Sequence, residues 1–405
     1  MTVVGENLGA ETRVLWLTPT DPGSVLTGRE AYSAGLVRAA RCIPRTSLTL
    51  HVVLQGRQQL VRRFAKARSL LSPLPAMCAP SRSRVARQEV EDVLKRRWDV
   101  VVIEHLQLGW IADRVPAGTP LIYVSQNHES TAKNSVSRAS RSLRRRVLQF
   151  DARKVARLEK RVLRRATVVT AITGADERLL RADGAAQTVV VPPVAVRAPS
   201  RPRSSIPPRR VLHFGSFLWS AKLANLRELV CAAAPVFEAN GIELVVAGPG
   251  DHRALSRGGT RSDAVTFCGP VPEDELESLF ASCRVAVISE PRGGGFKMKV
   301  LDLIAGRVPL YVLAGSTVGI ALQDGVNARC FRTLSELVSA CAAEIDELGT
   351  HRRLASAAVA LLEGFTFDQA AAQLCAAFEL ASRGEHAAGQ DGADARASAA
   401  AGVQS

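Results

Sequence analysis

Short apolar runs alternate along the chain with longer amphipathic segments. Runs this short and continuous are typical of strands buried on both faces of a parallel sheet. The predicted strands are 13–18, 48–54, 99–103, 121–124, 167–172, 211–214, 243–247, 265–268, 285–288 and 309–313. The predicted helices are 30–41, 58–71, 84–97, 140–165, 222–239, 272–282, 296–305, 335–348, 351–362 and 367–382. This alternation predicts an α/β protein built on doubly wound parallel sheets.

One segment interrupts the alternation and divides the chain. Residues 196–209 are rich in Pro and Ser without apolar periodicity, which is typical of a linker. We therefore predict a Rossmann-like N-terminal domain at 1–195 and a Rossmann-like C-terminal domain at 210–382. Residues 383–405 offer almost nothing to bury and predict a disordered tail. Two such domains would leave a cleft, and ligands commonly bind in clefts.

Charge and cysteine content narrow the class of protein. The 405 residues carry a formal net charge of +15, which favours an acidic partner such as a phosphorylated substrate, an anionic membrane or nucleic acid. The eight cysteines form no C-x-x-C pair, so neither a zinc site nor a disulfide framework is predicted. No basic-then-apolar leader and no membrane-spanning apolar run is visible, so we expect a cytoplasmic protein whose membrane contact, if any, is peripheral.

A glycine-rich turn between a predicted strand and a predicted helix is the first candidate site. Gly293, Gly294 and Gly295 follow the strand 285–288, and Lys297 and Lys299 lie in the first turns of the helix. Free backbone N–H groups, the helix dipole and two cations suit an anionic ligand, most plausibly a diphosphate. The alternative is a plain glycine-rich connection with solvated lysines.

Polar residues at other strand ends extend this site. In a doubly wound sheet, ligands bind beyond the carboxyl ends of the strands. By that rule one crevice should be lined by Gly28, Glu104, His105 and the run Gln126–Glu129. For His105, a hydrogen-bonding role in the loop is the alternative to a role in catalysis.

The segment GGGFKMKVLDLIAGRVP at 293–309 resembles the donor loop of GT-B glycosyltransferases, close to the family-4 sugar-nucleotide transferases. Other short segments between residues 13 and 382 also match the family, and they occur in the same order as in the family. They are Glu104-His105, the 126–129 run, 157–175, Gly215-Ser216, 247–250 and 267–271. The resemblance implies two Rossmann-like domains facing across a cleft.

The resemblance also implies a set of donor-binding residues. The glycine loop and its lysines would hold the diphosphate, and Asp302 would bind the ribose hydroxyls. A second loop would face the phosphates, another would border the nucleobase, and the N-terminal domain would contribute one glycine. The full set is Gly28, Gly215, Ser216, Lys222, Gly269, Val271, Gly293, Gly294, Gly295, Lys297, Lys299 and Asp302.

The chain departs from the family pattern at three positions. Gly294 stands where the family has the first of two glutamates eight positions apart, although Glu290 or Arg292 lies nearby. Ser216 replaces a basic residue, so Lys222 must contribute more charge. Related sequences have His-Asn-x-Glu where this chain has Gln126-Asn127-His128-Glu129, so Gln126, His128 and Glu129 are the candidate catalytic residues.

These features predict a hexosyltransferase that moves a sugar from a nucleotide-diphosphate donor to an acceptor. The resemblance implies retention of anomeric configuration, no cofactor beyond the donor and no metal, since no D-x-D motif is present. The acceptor would be a glycan, a lipid-linked glycan or a glycosylated small molecule, as in polysaccharide biosynthesis. Two alternatives stay open: a nucleotide-sugar epimerase of similar architecture, and a non-catalytic partner protein that binds nucleotide sugars or a membrane.

The strongest charge feature is the stretch Arg138–Arg165, with twelve basic and two acidic residues. It predicts either a long helix with a solvated basic face or a helix that docks on an anionic membrane leaflet. Nucleic-acid binding is disfavoured because the charges are not regularly interleaved with aromatic residues, Phe150 being the one aromatic residue in the stretch, and because no known nucleic-acid motif accompanies them.

Overall fold

The computed structural model describes residues 11–23, 28–53, 72–138, 142–202, 205–250, 262–292 and 295–383. These residues form two compact units. The first unit contains the described residues up to Pro193 together with those from Phe367 onward, and the second unit is Val194–Thr366.

The first unit is built on a six-stranded parallel sheet. Its strands are β1 (Thr12–Thr18), β2 (Thr46–Val52), β3 (Val100–Glu104), β4 (Leu121–Val124), β5 (Val168–Ala171) and β6 (Thr188–Val190). Their order across the sheet is β2-β1-β3-β4-β5-β6. Every residue of β3 and β4 is buried, as their continuous apolar sequences predict. The order reverses direction between β1 and β3, which makes their carboxyl ends the topological switch point of this unit.

Helices cover the first sheet and complete its core. They are α1 (Gly28–Arg41), α2 (Arg84–Leu94), α3 (Glu129–Arg138), α4 (Ser142–Arg165) and α5 (Gly174–Ala182), with 3₁₀ helices at Ala76–Ser81 and Leu106–Arg114. Val155, Leu158 and Val162 of α4 recur at helical spacing and pack in the same apolar cluster as Trp110. The long basic helix is thereby anchored to the sheet.

The second unit repeats the architecture with a different strand order. Its strands are β7 (Arg210–Phe214), β8 (Glu243–Ala247), β9 (Val265–Gly269), β10 (Val285–Ile288), β11 (Leu310–Leu313) and β12 (Arg329–Phe331). Their order is β12-β11-β10-β7-β8-β9, and all pairs are parallel. This is the Rossmann order, whose switch point lies between β7 and β10.

The helices of the second unit cover both faces of its sheet. They are α6 (Ser220–Ala239), α7 (Leu276–Ala281), α8 (Met298–Ala305), α9 (Leu334–Glu344) and α10 (Leu348–Val359), with 3₁₀ helices at Glu273–Glu275 and Ala360–Phe365. Two apolar clusters form the core, one on each side of the sheet. No described helix of either unit is both long enough and apolar enough to span a membrane.

The structure divides the chain differently from the sequence-based boundaries. The predicted helix at 367–382 was assigned to the C-terminal domain, but α11 (367–383) groups with the first unit. Its buried small and apolar residues form one stripe, and the guanidinium of Arg38 lies 5.2 Å from the ring of Phe367. Residues 384–405 of the predicted tail lie outside the described residues.

The predicted linker is part of the second unit. Ser200 N donates to Ala305 O at 2.8 Å, and Arg284 Nε donates to Pro207 O at 2.9 Å. Arg197 also pairs with Glu273. These contacts fix the segment to the second sheet's helices, although its composition is that of a linker.

Other differences concern short or polar elements. The sequence analysis missed the three-residue edge strands β6 and β12, the polar helix α3 and the nine-residue helix α5. The predicted helix 272–282 begins as a 3₁₀ turn and becomes α-helical at Leu276. The predicted helix at 58–71 lies outside the described residues.

Candidate functional site

Glycine turns shape the switch point of the second unit. Gly215 follows β7 and Gly248 follows β8, and Gly215 N donates to Ala247 O at 3.0 Å. A Cβ atom on Gly248 would lie 1.8 Å from Gly215 O, and the φ of Gly248 is +133°. Only glycine fits there, because both the close approach and the backbone angle exclude a side chain.

The side chain of Lys299 lies against the turn after β7. A Cβ atom on Gly215, whose φ is +149°, would be 3.0 Å from Lys299 Nζ. Lys299 is in the first turn of α8 and is largely buried. The glycine therefore gives an ammonium group direct access to the backbone at the carboxyl end of β7.

Glu290, two residues after β10, is the centre of the cluster. Its side chain is fully buried, it forms an ion pair with Lys299, and its Oε2 lies 3.8 Å from Lys297 Nζ. Glu290 N donates to Ser316 Oγ at 2.8 Å, which fixes the start of the loop. The sequence analysis predicted that the two lysines bind the donor. It considered Glu290 only as a replacement for the glutamate missing at position 294.

Electrostatic coupling in this cluster is strong. Burial raises the pKa of Glu290, but the charges of Lys299, His213, Lys222 and Lys297 outweigh burial and hold the pKa at about 2. Burial lowers the pKa of Lys297 to about 8 although Glu290 favours its charged form. Burial likewise lowers the pKa of Lys222. Counted with formal charges, the three lysines and the one carboxylate give the cluster a charge of +2.

His213 is a neutral member of this cluster. Burial and the neighbouring lysines lower its pKa to about 4. Its Nδ1 lies 3.1 Å from Val287 O, so Nδ1 carries the proton and donates to that carbonyl. The imidazole adds no charge to the cluster at neutral pH.

Asp302 lies on α8, one turn beyond Lys299. Burial raises the pKa of its carboxyl group to about 6, the charge of Arg197 opposes this shift, and that of Glu273 adds to it. The group is thus mostly ionised at neutral pH and able to accept hydrogen bonds from hydroxyl groups.

The remaining predicted donor residues are placed as follows. Ser216 is half-buried beside the first glycine turn, and Lys222 is in the first turn of α6. Gly269 ends β9 with a φ of +70°, and Val271 packs against the core. Gly295 has a φ of +72°, whereas Gly293 and Gly294 lie outside the described residues. Gly28 is the exposed first residue of α1 in the first unit.

The first unit holds a buried carboxylate at its own switch point. Glu104 ends β3 and is fully buried. Its Oε2 accepts from Trp16 Nε1 at 3.0 Å and from Ser33 Oγ at 2.9 Å, and its Oε1 accepts from Gln126 Nε2 at 2.8 Å. All three donors are neutral. Gln126 therefore orients Glu104, and this contact fixes which end of the amide is the donor.

A second pair of side chains, His105 and Glu129, links the segments that follow β3 and β4. His105 follows β3 with a φ of +68°, its Nδ1 accepts from Gln107 N at 3.1 Å, and its Nε2 lies 3.2 Å from Glu129 Oε1. Since Nδ1 is an acceptor, Nε2 carries the proton and donates to the carboxylate. Burial raises the pKa of Glu129, but the hydrogen bond and electrostatic interaction with His105, together with Lys133 and Asn127, bring it below its usual value.

His128 lies apart from the other two predicted catalytic residues. Its Nδ1 is 2.7 Å from Thr131 Oγ1 and its Nε2 is 3.2 Å from Asp183 Oδ2. Nearby, the buried Glu159 of α4 accepts hydrogen bonds from the first backbone N–H groups of α3, Glu129 N at 2.8 Å and Ser130 N at 2.9 Å. A carboxylate at a helix N-terminus is stabilising, so this group organises α3.

Among the described residues, one group of three side chains lies close enough together to be considered as a metal site. Ligand atoms of His128, Glu159 and Asp183 lie within 4.8 Å of one another. Both oxygens of Glu159 already accept backbone hydrogen bonds, and Lys160 Nζ lies 3.2 Å from Asp183 Oδ1. These contacts are those of a helix cap and an ion pair. The expectation of a metal-independent reaction stays a prediction.

Comparisons with known proteins agree with this architecture. A family model described as a glycosyl transferase 4-like domain matches residues 6–194. Among solved structures, sucrose-phosphate synthase (tll1590) from Thermosynechococcus elongatus is similar with a TM-score of 0.65, at 14% identity over 90% of this chain and 97% of that chain. A comparison with curated protein sequences gave no match.

Two further structures are similar over most of their length. Anabaena Alr3699/HepE, solved in complex with UDP-glucose, has a TM-score of 0.59 at 16% identity, over 89% of this chain and 97% of that chain. α,α-Trehalose 6-phosphate synthase from Burkholderia multivorans has a TM-score of 0.57 at 13% identity, over 94% and 100%. Identities this low show a shared fold. The chain therefore has the GT-B fold seen in these glycosyltransferases, and its residues 6–194 match the glycosyl transferase 4-like model.

Proposed function

We propose that the protein transfers a hexose from a nucleoside-diphosphate sugar to a hydroxyl acceptor, with the donor diphosphate bound at the switch point of the second unit. The observation that carries the proposal is the cluster of Lys222, Lys297 and Lys299 around the single carboxylate Glu290. A nucleotide sugar carries two phosphate charges, which match the net charge of +2.

The glycine turns support the same ligand. The turn at Gly215, beside which Lys299 lies, brings backbone close to the cations without an intervening side chain. Backbone N–H groups and buried cations together are the usual means of holding phosphate oxygens. Asp302, ionised at neutral pH, is proposed to accept hydrogen bonds from the ribose hydroxyls. Anabaena HepE, which shares the fold, was solved with UDP-glucose.

The chemistry follows from where charge develops. Transfer breaks the bond between the anomeric carbon and the β-phosphate oxygen, forms a bond to the acceptor oxygen and releases the acceptor's proton. The leaving diphosphate gains negative charge in the transition state, and preorganised ammonium groups stabilise it. Because three lysines supply this positive charge, we propose a metal-independent reaction. Retention of anomeric configuration is proposed from the family resemblance.

The acceptor side is assigned to the first unit. Glu129 is an ionised, hydrogen-bonded carboxylate, and Gln126 is fixed by Glu104. Such acceptor-rich groups suit a ligand that donates hydrogen bonds, such as the hydroxyl groups of a glycan, a lipid-linked glycan or a glycosylated small molecule. We assign the protein on this basis to polysaccharide or glycoconjugate synthesis.

The amino-terminal half of α4 supports peripheral membrane binding as part of this proposal. Val147 and Phe150 are 43% and 46% exposed, and Arg145 and Arg146 beside them are exposed. Apolar groups flanked by arginines suit an anionic lipid surface. Flotation with phosphatidylglycerol vesicles should capture the wild type and should capture less of Arg145→Gln/Arg146→Gln. Equal capture of the two proteins would refute the membrane contact.

The proposed function is tested with nucleotides and then with nucleotide sugars. Thermal unfolding is measured with UDP, GDP, dTDP, ADP and CMP, each with and without EDTA. One diphosphate at ~100 times its Kd should stabilise the protein by about 2.7 kcal/mol, and EDTA should not change this value. The matching nucleotide sugar should then be consumed, with the α or β linkage of the product read by NMR.

A variant separates binding from catalysis. Glu129→Gln keeps the shape of the side chain but removes its charge, so nucleotide stabilisation should persist while turnover falls by at least about tenfold. The exposed Glu91→Gln is the matched control and should change neither. Stabilisation without any turnover would indicate a non-catalytic nucleotide-sugar-binding protein. If no nucleotide stabilises the protein, the donor assignment fails.

A further inference from the structure

A separate cavity lies in the second unit, at the ends of the strands opposite to those that carry the lysine cluster. It has a volume of about 230 Å³. Arg284 and Pro309, which line it, precede β10 and β11, so the cavity is at the amino ends of the strands. The rest of the lining comes from residues of α10, from Arg307 and from the segment around Pro207. None of the donor residues assigned above lines it.

The cavity carries positive charge that is only partly compensated. Arg284 is paired with Asp346 and donates from Nε to Pro207 O at 2.9 Å. Arg307 donates from Nε to Ser200 O at 2.7 Å, and no hydrogen bond from its two terminal nitrogens is found among the described residues. Within the part of the chain that the structure describes, neither Arg307 nor Arg352 has an ion-pair partner. Two guanidinium groups are therefore available to one ligand.

The remaining wall is largely apolar. Ile206, Pro207, Pro309, Leu348 and Ala355 contribute hydrocarbon surface. His351 forms part of the wall, and its ring is held at Nε2 by the hydroxyl of Tyr311 at 3.1 Å. An apolar cavity with a few fixed polar groups is the usual form of a small-molecule site.

We propose that this cavity is a second ligand site, which binds a small organic anion through Arg307 and Arg352 and packs its apolar body against the wall. The volume is slightly below the ~300 Å³ at which drug-sized sites begin, so the ligand is small. A phosphate or a carboxylate would fit the planar guanidinium groups equally well. This site is independent of the proposed donor site and goes beyond it.

Three matched probes test the proposal on the full-length protein by isothermal titration. Phenyl phosphate has both an anion and an apolar body, phenol lacks the anion, and inorganic phosphate lacks the apolar body. We expect phenyl phosphate to bind at least about tenfold more tightly than either of the others. Benzoate in place of phenyl phosphate tells whether a carboxylate is accepted as well. Tighter or equal binding of phenol or of inorganic phosphate would overturn the proposal.

Variants locate the binding. Arg352→Gln removes an exposed cation from the rim and should weaken phenyl phosphate binding by about tenfold. Ser356→Phe should fill the opening and abolish binding. The neighbouring exposed Arg353 does not line the cavity, so Arg353→Gln is the matched control and should bind as the wild type does. If all variants bind phenyl phosphate alike, or if the wild type does not bind it, the proposed site is wrong. Nucleotide stabilisation of the same variants reports the donor site separately.

Discussion

The two units place a buried carboxylate at the same point of the same architecture but surround it differently. In the first unit, Glu104 accepts hydrogen bonds from Trp16, Ser33 and Gln126, all neutral donors. In the second unit, Glu290 lies among three lysines. In both units the switch point lies at the carboxyl ends of two neighbouring parallel strands. The side chains at those ends decide the electrostatics of the site.

The contrast indicates two different tasks. Around Glu104 the hydrogen bonds come from neutral side chains of the same unit. Around Glu290 the cations exceed the carboxylate by two charges in a poorly solvated site, where electrostatic interactions are strong. The first arrangement orients neighbouring groups, and we propose that the second binds a polyanion.

Removal of Glu290 should have the largest effect on stability. Glu290→Ala leaves Lys299 and its neighbours buried without their counter-charge, and the free energy of unfolding should fall by about 3–5 kcal/mol. Urea unfolding measures it. The control is Glu228→Ala, since the pair of Glu228 with Arg292 is exposed and should contribute less than about 1 kcal/mol. A loss below that value for Glu290→Ala would show that the cluster is not tightly coupled.

Gly248→Ala should cause the second-largest loss in the free energy of unfolding. The new Cβ atom would lie 1.8 Å from Gly215 O at a φ of +133°, so the turn must shift, at a cost of about 3 kcal/mol, and nucleotide binding should be lost with it. Gly349→Ala is the control, because nothing lies within 4 Å of its Cβ position. Retained nucleotide binding in Gly248→Ala would mean that the turn does not shape the donor site.

Glu104→Gln should have a smaller effect. The amide keeps one acceptor oxygen but places an NH₂ group against donors, which should lower the free energy of unfolding by about 2 kcal/mol. The control is the exposed Glu91→Gln, with little or no change. We expect nucleotide affinity to stay unchanged in Glu104→Gln. A loss of nucleotide affinity comparable to that in second-unit variants would remove the distinction between the two switch points.

The smallest effect concerns pH. The pKa of Asp302 is about 6, so its carboxylate is lost as pH falls below 6, and the pKa of Lys297 is about 8, so its ammonium is lost as pH rises above 8. Affinity for a nucleotide sugar, whose phosphates do not titrate in this range, should therefore be greatest between pH 6 and 8. Each limb should fall by up to about tenfold per pH unit. Lys297→Met should flatten the alkaline limb and Asp302→Asn the acid limb; unchanged limbs would contradict both roles.

Much of the fold follows from the sequence because buried parallel strands are continuous apolar runs. Strands β4, β8 and β10 begin and end at the predicted residues. The edge strands β6 and β12 have only three residues each and give too little pattern. Helix α3 is polar and depends on the Glu159 carboxylate at its N-terminus, 30 residues away in sequence. The stripe of α11 shows that it is a packed helix but does not show against which sheet.

The candidate site was likewise predictable from the sequence only in part. Lys297 and Lys299 are recognisable from the glycine run and the resemblance, but their pairing with Glu290 depends on the course of the loop between them. Sequence order also grouped Gln126, His128 and Glu129, whereas the turn sends the side chain of His128 toward Asp183. Adjacent residues on a turn face different directions, and this cannot be read from spacing alone.

Titration of the most stabilising nucleoside diphosphate into the wild type and Lys222→Met tests the central claim most directly. No ion pair of Lys222 is found among the described residues, and Glu290 keeps Lys297 and Lys299, so the variant should fold. We predict that Lys222→Met weakens binding by at least about tenfold, whereas the exposed Lys95→Met in the first unit binds as the wild type does. Equal affinities of Lys222→Met and the wild type would contradict the assignment of the donor diphosphate to the second unit's lysine cluster.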